Sequence, residues 1–323
     1  MFAVLLLLTV AERFAVGQDR PAAMAVRDDR VVPSYFQSPE TGPIPGPSYE
    51  PSEIPETNPD LPDVLDSVPP ITWKQTQATV TVLPGSGNDF GVTDFDVRGT
   101  IGFGALPQLT ITPGFQMTFF DGPRRTDLPG RVFNARAEFR WYQPPGATSR
   151  WGYELAVAPG VYSDFERENS DALRILGRAI GFYAHSPQTQ YVFGIAYLDR
   201  DNLAVLPVFG VIMLPREDVR LEVIFPRPKL AYRLMRDESQ SRWVYLAGEF
   251  GGGSWAIERT TGSKDVATYS DWRLILGLEN KFANRTSWLF EAGYVFNRQL
   301  DYNSGAGDFD PGDTAMIRAG LTF

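Results

Sequence analysis

The stretch Ala315-Met316-Ile317-Arg318-Ala319-Gly320-Leu321-Thr322-Phe323 decides the fold. Ala315, Ile317, Ala319, Leu321 and Phe323 share one parity; Met316, Arg318, Gly320 and Thr322 share the other. Successive side chains of a strand point to opposite faces, so this run is a strand with one apolar and one polar face. The pattern repeats upstream. Phe95, Val97, Gly99, Ile101 and Phe103 alternate with Asp94, Asp96, Arg98, Thr100 and Gly102. Phe133, Ala135, Ala137, Phe139 and Trp141 alternate with Asn134, Arg136, Glu138, Arg140 and Tyr142. Trp272, Leu274, Leu276 and Leu278 alternate with Asp271, Arg273, Ile275, Gly277 and Glu279. No long stretch fits a 3.6-residue period as well. Residues 73–83, 173–183 and 204–214 are less clean, with apolar side chains on both parities.

Turn-rich breaks near 84–90, 104–108, 121–130, 143–150, 162–170, 186–188, 199–202, 215–218, 226–228, 236–241, 259–268, 282–286 and 299–312 divide the body. They leave about 14 strands of roughly 8–16 residues. The breaks alternate between short and long, as tight periplasmic turns and longer outer loops do in a membrane barrel. The expected fold is therefore all-β: a closed antiparallel transmembrane β-barrel of about 14 strands. The runs 219–225 and 229–235 are short against the ~9–11 residues that cross a bilayer, and without that hairpin the wall would hold 12 strands. Pro113, Pro159 and Pro207 fall inside expected strands, where a closed wall has no edge to hide them. Pro113-Gly114 and Pro159-Gly160 suggest bulges or strand ends, and Gly251-Gly252-Gly253 a bulge or sharp bend.

Apolar-parity aromatics recur near strand ends: Phe103, Trp141, Trp151, Tyr153, Tyr191, Tyr197, Trp272, Trp288 and Tyr294. Amphipathic rings placed this way form the girdles of a barrel in lipid. The polar parity then faces a lumen. Its expected lining is Asp94, Asp96, Arg98, Arg136, Glu138, Arg140, Glu154, Arg174, Arg178, Arg220, Glu222, Glu249, Arg273, Glu279, Glu291 and Arg318, with Arg233 and Asp271 on the same parity. Arginine keeps its charge and pairs bidentately with carboxylates, which suits a packed wet lumen better than a solvated outer face.

The last six residues, Arg318 to Phe323, read polar, any, Gly, apolar, any, aromatic. This resembles the assembly signal of outer-membrane barrels, carried here by Gly320, Leu321 and Phe323, and makes the barrel-assembly machinery an expected partner. At the other end, residues 1–17 read as a secretory signal: an apolar run over 2–10, then Ala15-Val16-Gly17 before Gln18, although no Lys or Arg precedes the run. Ala22-Ala23-Met24-Ala25 offers a second cleavage site. Residues 18–70 read as an acidic, Pro-rich, disordered periplasmic linker. From Val31 to Trp73 there is no Lys or Arg, against seven acidic residues and eleven prolines. Such a segment lacks the amide donors and apolar surface for a sheet. The chain's net charge of −9 therefore splits: residues 74–323 carry 26 basic and 28 acidic groups, a net of −2. Nucleic acid is not an expected partner. Without cysteine there are no disulfides, thiol nucleophile, zinc-thiolate site or lipidated N-terminal cysteine. The mean hydropathy of −0.20 averages a lipid-facing band with a charged face, so it does not exclude a membrane.

Several stretches of residues 72–323 carry a resemblance: Pro159-Gly160-Val161-Tyr162-Ser163-Asp164-Phe165, Phe225-Pro226-Arg227-Pro228, Gly248 through Ile257, and Gly293-Tyr294-Val295-Phe296-Asn297-Arg298. The body resembles the uncharacterised outer-membrane β-barrel proteins grouped as a domain of unknown function. That resemblance implies a barrel among outer-membrane lipid. It implies no reaction, no cofactor and no residue role.

Three functions are compatible with these residues. The first is a passive channel for small solutes or ions whose mixed-charge lumen gives weak selectivity. The second is a non-conducting structural barrel, tethered by residues 31–70 to a wall layer or periplasmic partner, although a passive spacer is the plainer reading of such an arm. The third, an enzyme, is not expected. His185 is the only histidine and lacks partners for triad chemistry. Asp94 and Asp96 share a face, but with Arg98 beside them an ion-pair ladder is simpler than a carboxylate-based active site. Asp308, Asp310 and Asp313 cluster in one loop without the spacing of a calcium hand, so no metal is expected.

Overall fold

The computed structural model describes residues 70–85, 90–122, 127–146, 148–166, 170–200 and 203–323. The expected signal (1–17) and Pro-rich linker (18–70) lie outside these, apart from Pro70. The described chain is one closed barrel of fourteen antiparallel strands, each bonded to its sequence neighbours. They are β1 (Ile71–Leu83), β2 (Gly91–Phe103), β3 (Leu109–Asp121), β4 (Arg131–Gln143), β5 (Trp151–Ser163), β6 (Leu173–Ser186), β7 (Thr189–Tyr197), β8 (Val205–Arg216), β9 (Val219–Phe225), β10 (Lys229–Arg236), β11 (Gln240–Glu258), β12 (Lys264–Phe282), β13 (Ser287–Tyr302) and β14 (Thr314–Thr322). β1 and β14 close the wall in the register Gln77↔Thr322 to Val82↔Ile317. Phe323 continues the ladder, its amide and carbonyl both bonded to Thr76. An even strand count leaves both ends of the barrel chain on one side.

Side-chain parity turns this ladder into a two-faced wall. On β5, Trp151, Tyr153, Leu155, Val157 and Val161 face outward and are exposed, while Glu154, Ala158 and Tyr162 between them are buried. Leu274, Leu276 and Ile317 repeat the outward apolar pattern. Of the expected girdle rings, Trp151, Tyr153, Tyr191, Tyr197 and Tyr294 are exposed on this face. Such a face loses nothing to hydrocarbon and is costly in water.

The short hairpin of β9 and β10 belongs to the wall, so the count is fourteen. The prolines are held without bulges. Opposite Pro113 the β2–β3 ladder skips from Arg98↔Gly114 to Ile101↔Ile111 at constant register. Opposite Pro159 the β4–β5 ladder skips from Arg136↔Gly160 to Phe139↔Val157. Each skip removes the need for the missing amide. Pro207 lies above the end of β9, whose pairing to β8 starts only at Phe209↔Phe225.

The main departure from a regular barrel is β11. Its lower half pairs β10 only as far as Lys229↔Ala247, while its whole length pairs β12. Beyond Gly248 the strand turns inward, crosses the interior and meets β5 at Ala256↔Ser163. The turn falls at Gly252, where φ is +101° and a Cβ would collide with the Tyr269 carbonyl. Only glycine takes this conformation and approach without strain. The triplet is thus a bend in an unbroken register, not a bulge.

Candidate functional site

The interior is the candidate site, and it holds three chemically different zones. The first is the arginine–carboxylate lining. On β4–β6, Arg178 donates to both oxygens of Glu138 (2.7 and 3.0 Å) and to Glu154 (2.5 Å), which also accepts from Arg140 (2.7 Å). On β2–β4, Asp96 accepts from Arg98 and Arg136 at 2.5 and 2.9 Å. On β11–β14, Arg318 donates to Glu249 (2.8 Å), Glu291 (2.7 Å) and the Thr81 hydroxyl (3.0 Å). Arg273 joins Asp271 (2.7 Å) to Glu249 (3.0 Å), and Arg227 adds a third arginine to Glu249 at 2.7 Å. Arg220 pairs with Glu222. Glu279 has the more exposed Lys281 at 3.5 Å. Glu154 and Arg318 expose only 1% and 2% of their surface. Charges that dry survive only when paired and hydrogen-bonded. These pairs hold the lining against itself.

Two expected lining residues stand apart. Asp94 takes hydrogen bonds from Thr118 and Gln116, not from an arginine. Arg174 donates to the Asp199 backbone carbonyl near the outer rim. Asp94 and Asp96 therefore do not form one ladder with Arg98. His185 is exposed at the end of β6, its ring 6.0 Å from that of Tyr191. Asp308 accepts the Tyr302 amide and Asp313 the Tyr294 hydroxyl. Among the described residues no three His, Cys, Asp or Glu side chains are placed to hold a metal.

The second zone is an apolar core in the upper interior, toward the long loops. Trp255 and Ile257 of the crossing β11 pack with Leu83, Phe90, Val92, Val132, Tyr162, Tyr269, Leu300 and Met316. Polar contacts fix its edges. The Trp255 indole donates to Asn134 (2.5 Å), and Asp164 accepts the Glu258 amide (2.7 Å). Arg200 donates to the Gly252 carbonyl (2.6 Å). Arg298 donates to the Phe90 carbonyl (2.6 Å) and the Tyr269 hydroxyl (2.9 Å). Arg259 joins Asp265 (2.8 Å) and the Ala306 carbonyl (2.6 Å).

Parity reasoning misses these arginines for local reasons. Between Ser270 and Trp272 the β12–β13 register shifts, and Asn297 takes φ 49°. That irregularity turns Arg298 inward against simple alternation. Arg200 and Arg259 lie in loops, where alternation predicts nothing.

The third zone is the inner face of β6–β9. Here apolar residues share the inner face with Arg174, Arg178, Arg220 and Glu222: Leu176, Ile180, Phe182, Val192, Ala196, Leu206, Val208, Ile212 and Ile224 are all buried. This explains two of the sequence stretches with apolar residues on both parities, 173–183 and 204–214. Two internal cavities, of about 20 and 30 Å³, adjoin the crossing β11, one against this face and one beside Asp94. Each has room for a water or two, since one probe sphere needs ~10–15 Å³.

A family profile described as "Domain of unknown function (DUF6268)" matches residues 121–306, more than half of the chain. No curated protein matches it. Among solved structures, a bacterial polysaccharide outer membrane secretin aligns over 77% of this chain and 97% of its own, at 12% identity and TM-score 0.39. An outer membrane channel from Pseudomonas putida F1 aligns over 81% and 98%, at 10% identity and TM-score 0.39. The outer membrane protein Omp33 of Acinetobacter baumannii aligns over 78% and 98%, at 7% identity and TM-score 0.26.

Proposed function

The chain belongs to the DUF6268 family, a domain of unknown function, and from the geometry of its interior we propose that it is an outer-membrane β-barrel that stands closed. The observation that carries this is the crossing of β11, which seals the upper interior with an apolar core. Below it, the charged lining is consumed in pairs rather than left to solvent. The apolar, aromatic-rimmed outer face supports placement in a bilayer. The barrel is then a structural element of the envelope, and residues 31–70 are either its periplasmic tether or a passive spacer. Liposomes carrying the full chain are expected to swell in small sugars no faster than empty ones. Swelling that rises with protein content would count against closure. Deleting residues 31–70 tests the tether separately: unchanged envelope integrity and unchanged pull-down partners would remove it.

One observation favours a second reading, a channel for small solutes or ions that opens when β11 withdraws. Residues 248–258 have no β10 partner, and the bend at Gly252 is a ready hinge. Arg200→Ala with Trp255→Ala removes two of the contacts on β11. Swelling that appears only in this variant favours the channel; silence in a variant with wild-type circular dichroism favours the structural barrel.

A further inference from the structure

We propose that the space between β11 and the inner face of β5–β8 is a binding site for a small, neutral, apolar molecule, with Phe250 as its lid. The proposal does not require the barrel to conduct. The cavity is lined by Ala156, Ala158, Leu176, Ala196, Leu206 and Phe250. Elsewhere the apolar interior is filled by large side chains such as Phe90, Tyr162, Trp255 and Tyr269. Here three alanines face the void, and its closed volume of about 20 Å³ is what remains with the Phe250 ring in place. The charged residues at its margin offer nothing to an ion. Arg178 is bound to Glu138 and Glu154, and Arg227 to Glu249. What is left is an apolar surface, and pockets of this composition take apolar ligands.

The wall supplies an entry. β9 and β10 stop at the turn 226–228, while β8 continues upward through Val205 and β11 turns inward past Gly248. Residues 205–208 of β8 thus have no β9 partner, a notch of about 13 Å at ~3.3 Å per residue. Aromatic rings border it: Phe209 stacks on Phe225, and Trp272 touches both Phe225 and Phe250. The lid is held by reversible contacts. The Arg200 guanidinium lies 5.4 Å from the Phe250 ring centroid while bonding the Gly252 carbonyl. A ligand arriving over the notch would turn the ring aside and take its place against the alanines.

Tritiated naphthalene titrated into the folded full-length chain in detergent, with bound ligand read by equilibrium dialysis, tests this. The expected signal saturates at one site per chain, is retained at lower ligand concentration in Phe250→Ala, and loses saturation in Ala196→Phe. Ala158→Leu, a smaller filling change, is expected to lose it too and covers the case in which Ala196→Phe does not fold. A response that only rises linearly, as partition into micelles does, or that saturates equally in the filled variants, overturns the proposal.

Discussion

Glu249 is the residue on which the lower interior hangs. It neutralises Arg227, Arg273 and Arg318, which come from three different elements. Removing one partner of a buried pair costs ~3–5 kcal/mol, because the other charge is left in a dry site. Glu249→Ala is expected to fall in that range in denaturant unfolding from micelles, and an exposed acid such as Glu217 to change little when replaced. Equal effects at the two sites would show that the lining is solvated. Sequence parity found Glu249 and its partners Arg273 and Arg318, the last two in runs of clean alternation. It missed Arg227 in a turn and Arg298 past a register shift, since both depend on where the backbone leaves period two. The outer rim adds a titratable tie. Burial alone would raise the Asp265 carboxyl, but hydrogen bonds from Ser304 and Arg259 outweigh it and hold the group below the usual carboxylate range. A carboxyl depressed in the folded state contributes stability that is complete above its unfolded value and lost as pH falls through the folded one. The tie between the 259–263 turn and the 303–313 loop should therefore hold at neutral pH and loosen in acid. Protection of the Ser304 amide, relative to its intrinsic exchange rate at each pH, is expected to fall as pH drops below the unfolded carboxylate value. Asp265→Asn should show faster exchange there already at neutral pH. Indifference to both changes would remove the tie.

At the scale of elements, β11 carries the account. Its nineteen residues look in sequence like one long strand with a glycine break, and they do form one strand, in unbroken register with β12. What alternation cannot show is that the upper half leaves β10 and enters the interior, because desertion of a neighbour is a tertiary event. The shortness of β9 and β10 hinted at it. These strands were marginal for a bilayer crossing, and they are short where β11 has left the wall. Gly252→Ala puts a Cβ at φ +101° against the Tyr269 carbonyl, a strain of ~1–3 kcal/mol. It should lower the unfolding free energy by that amount and increase protease cutting near 258–264. Gly130→Ala, whose Cβ would meet nothing, is the control. Equal behaviour of the two variants would mean that the bend at 252 is not required. β6 and β8 were among the other ambiguous elements, and their buried Leu176, Ile180, Phe182, Leu206, Val208 and Ile212 report packing on both sides of the wall.

For the whole molecule, period-two runs, break positions and alternating loop lengths made the closed fourteen-strand wall legible. How its interior is filled was not legible, since the same balanced arginines and acids serve an open aqueous lumen or a cross-linked one. The structure sets the difference: paired charges below, an apolar core above, and cavities of about 20 and 30 Å³ beside β11. The most direct measurement is a planar-bilayer recording of the full chain over a wide voltage range. Folded, inserted wild-type barrel is expected to give no conductance steps. Regular ohmic steps from that same protein would contradict it.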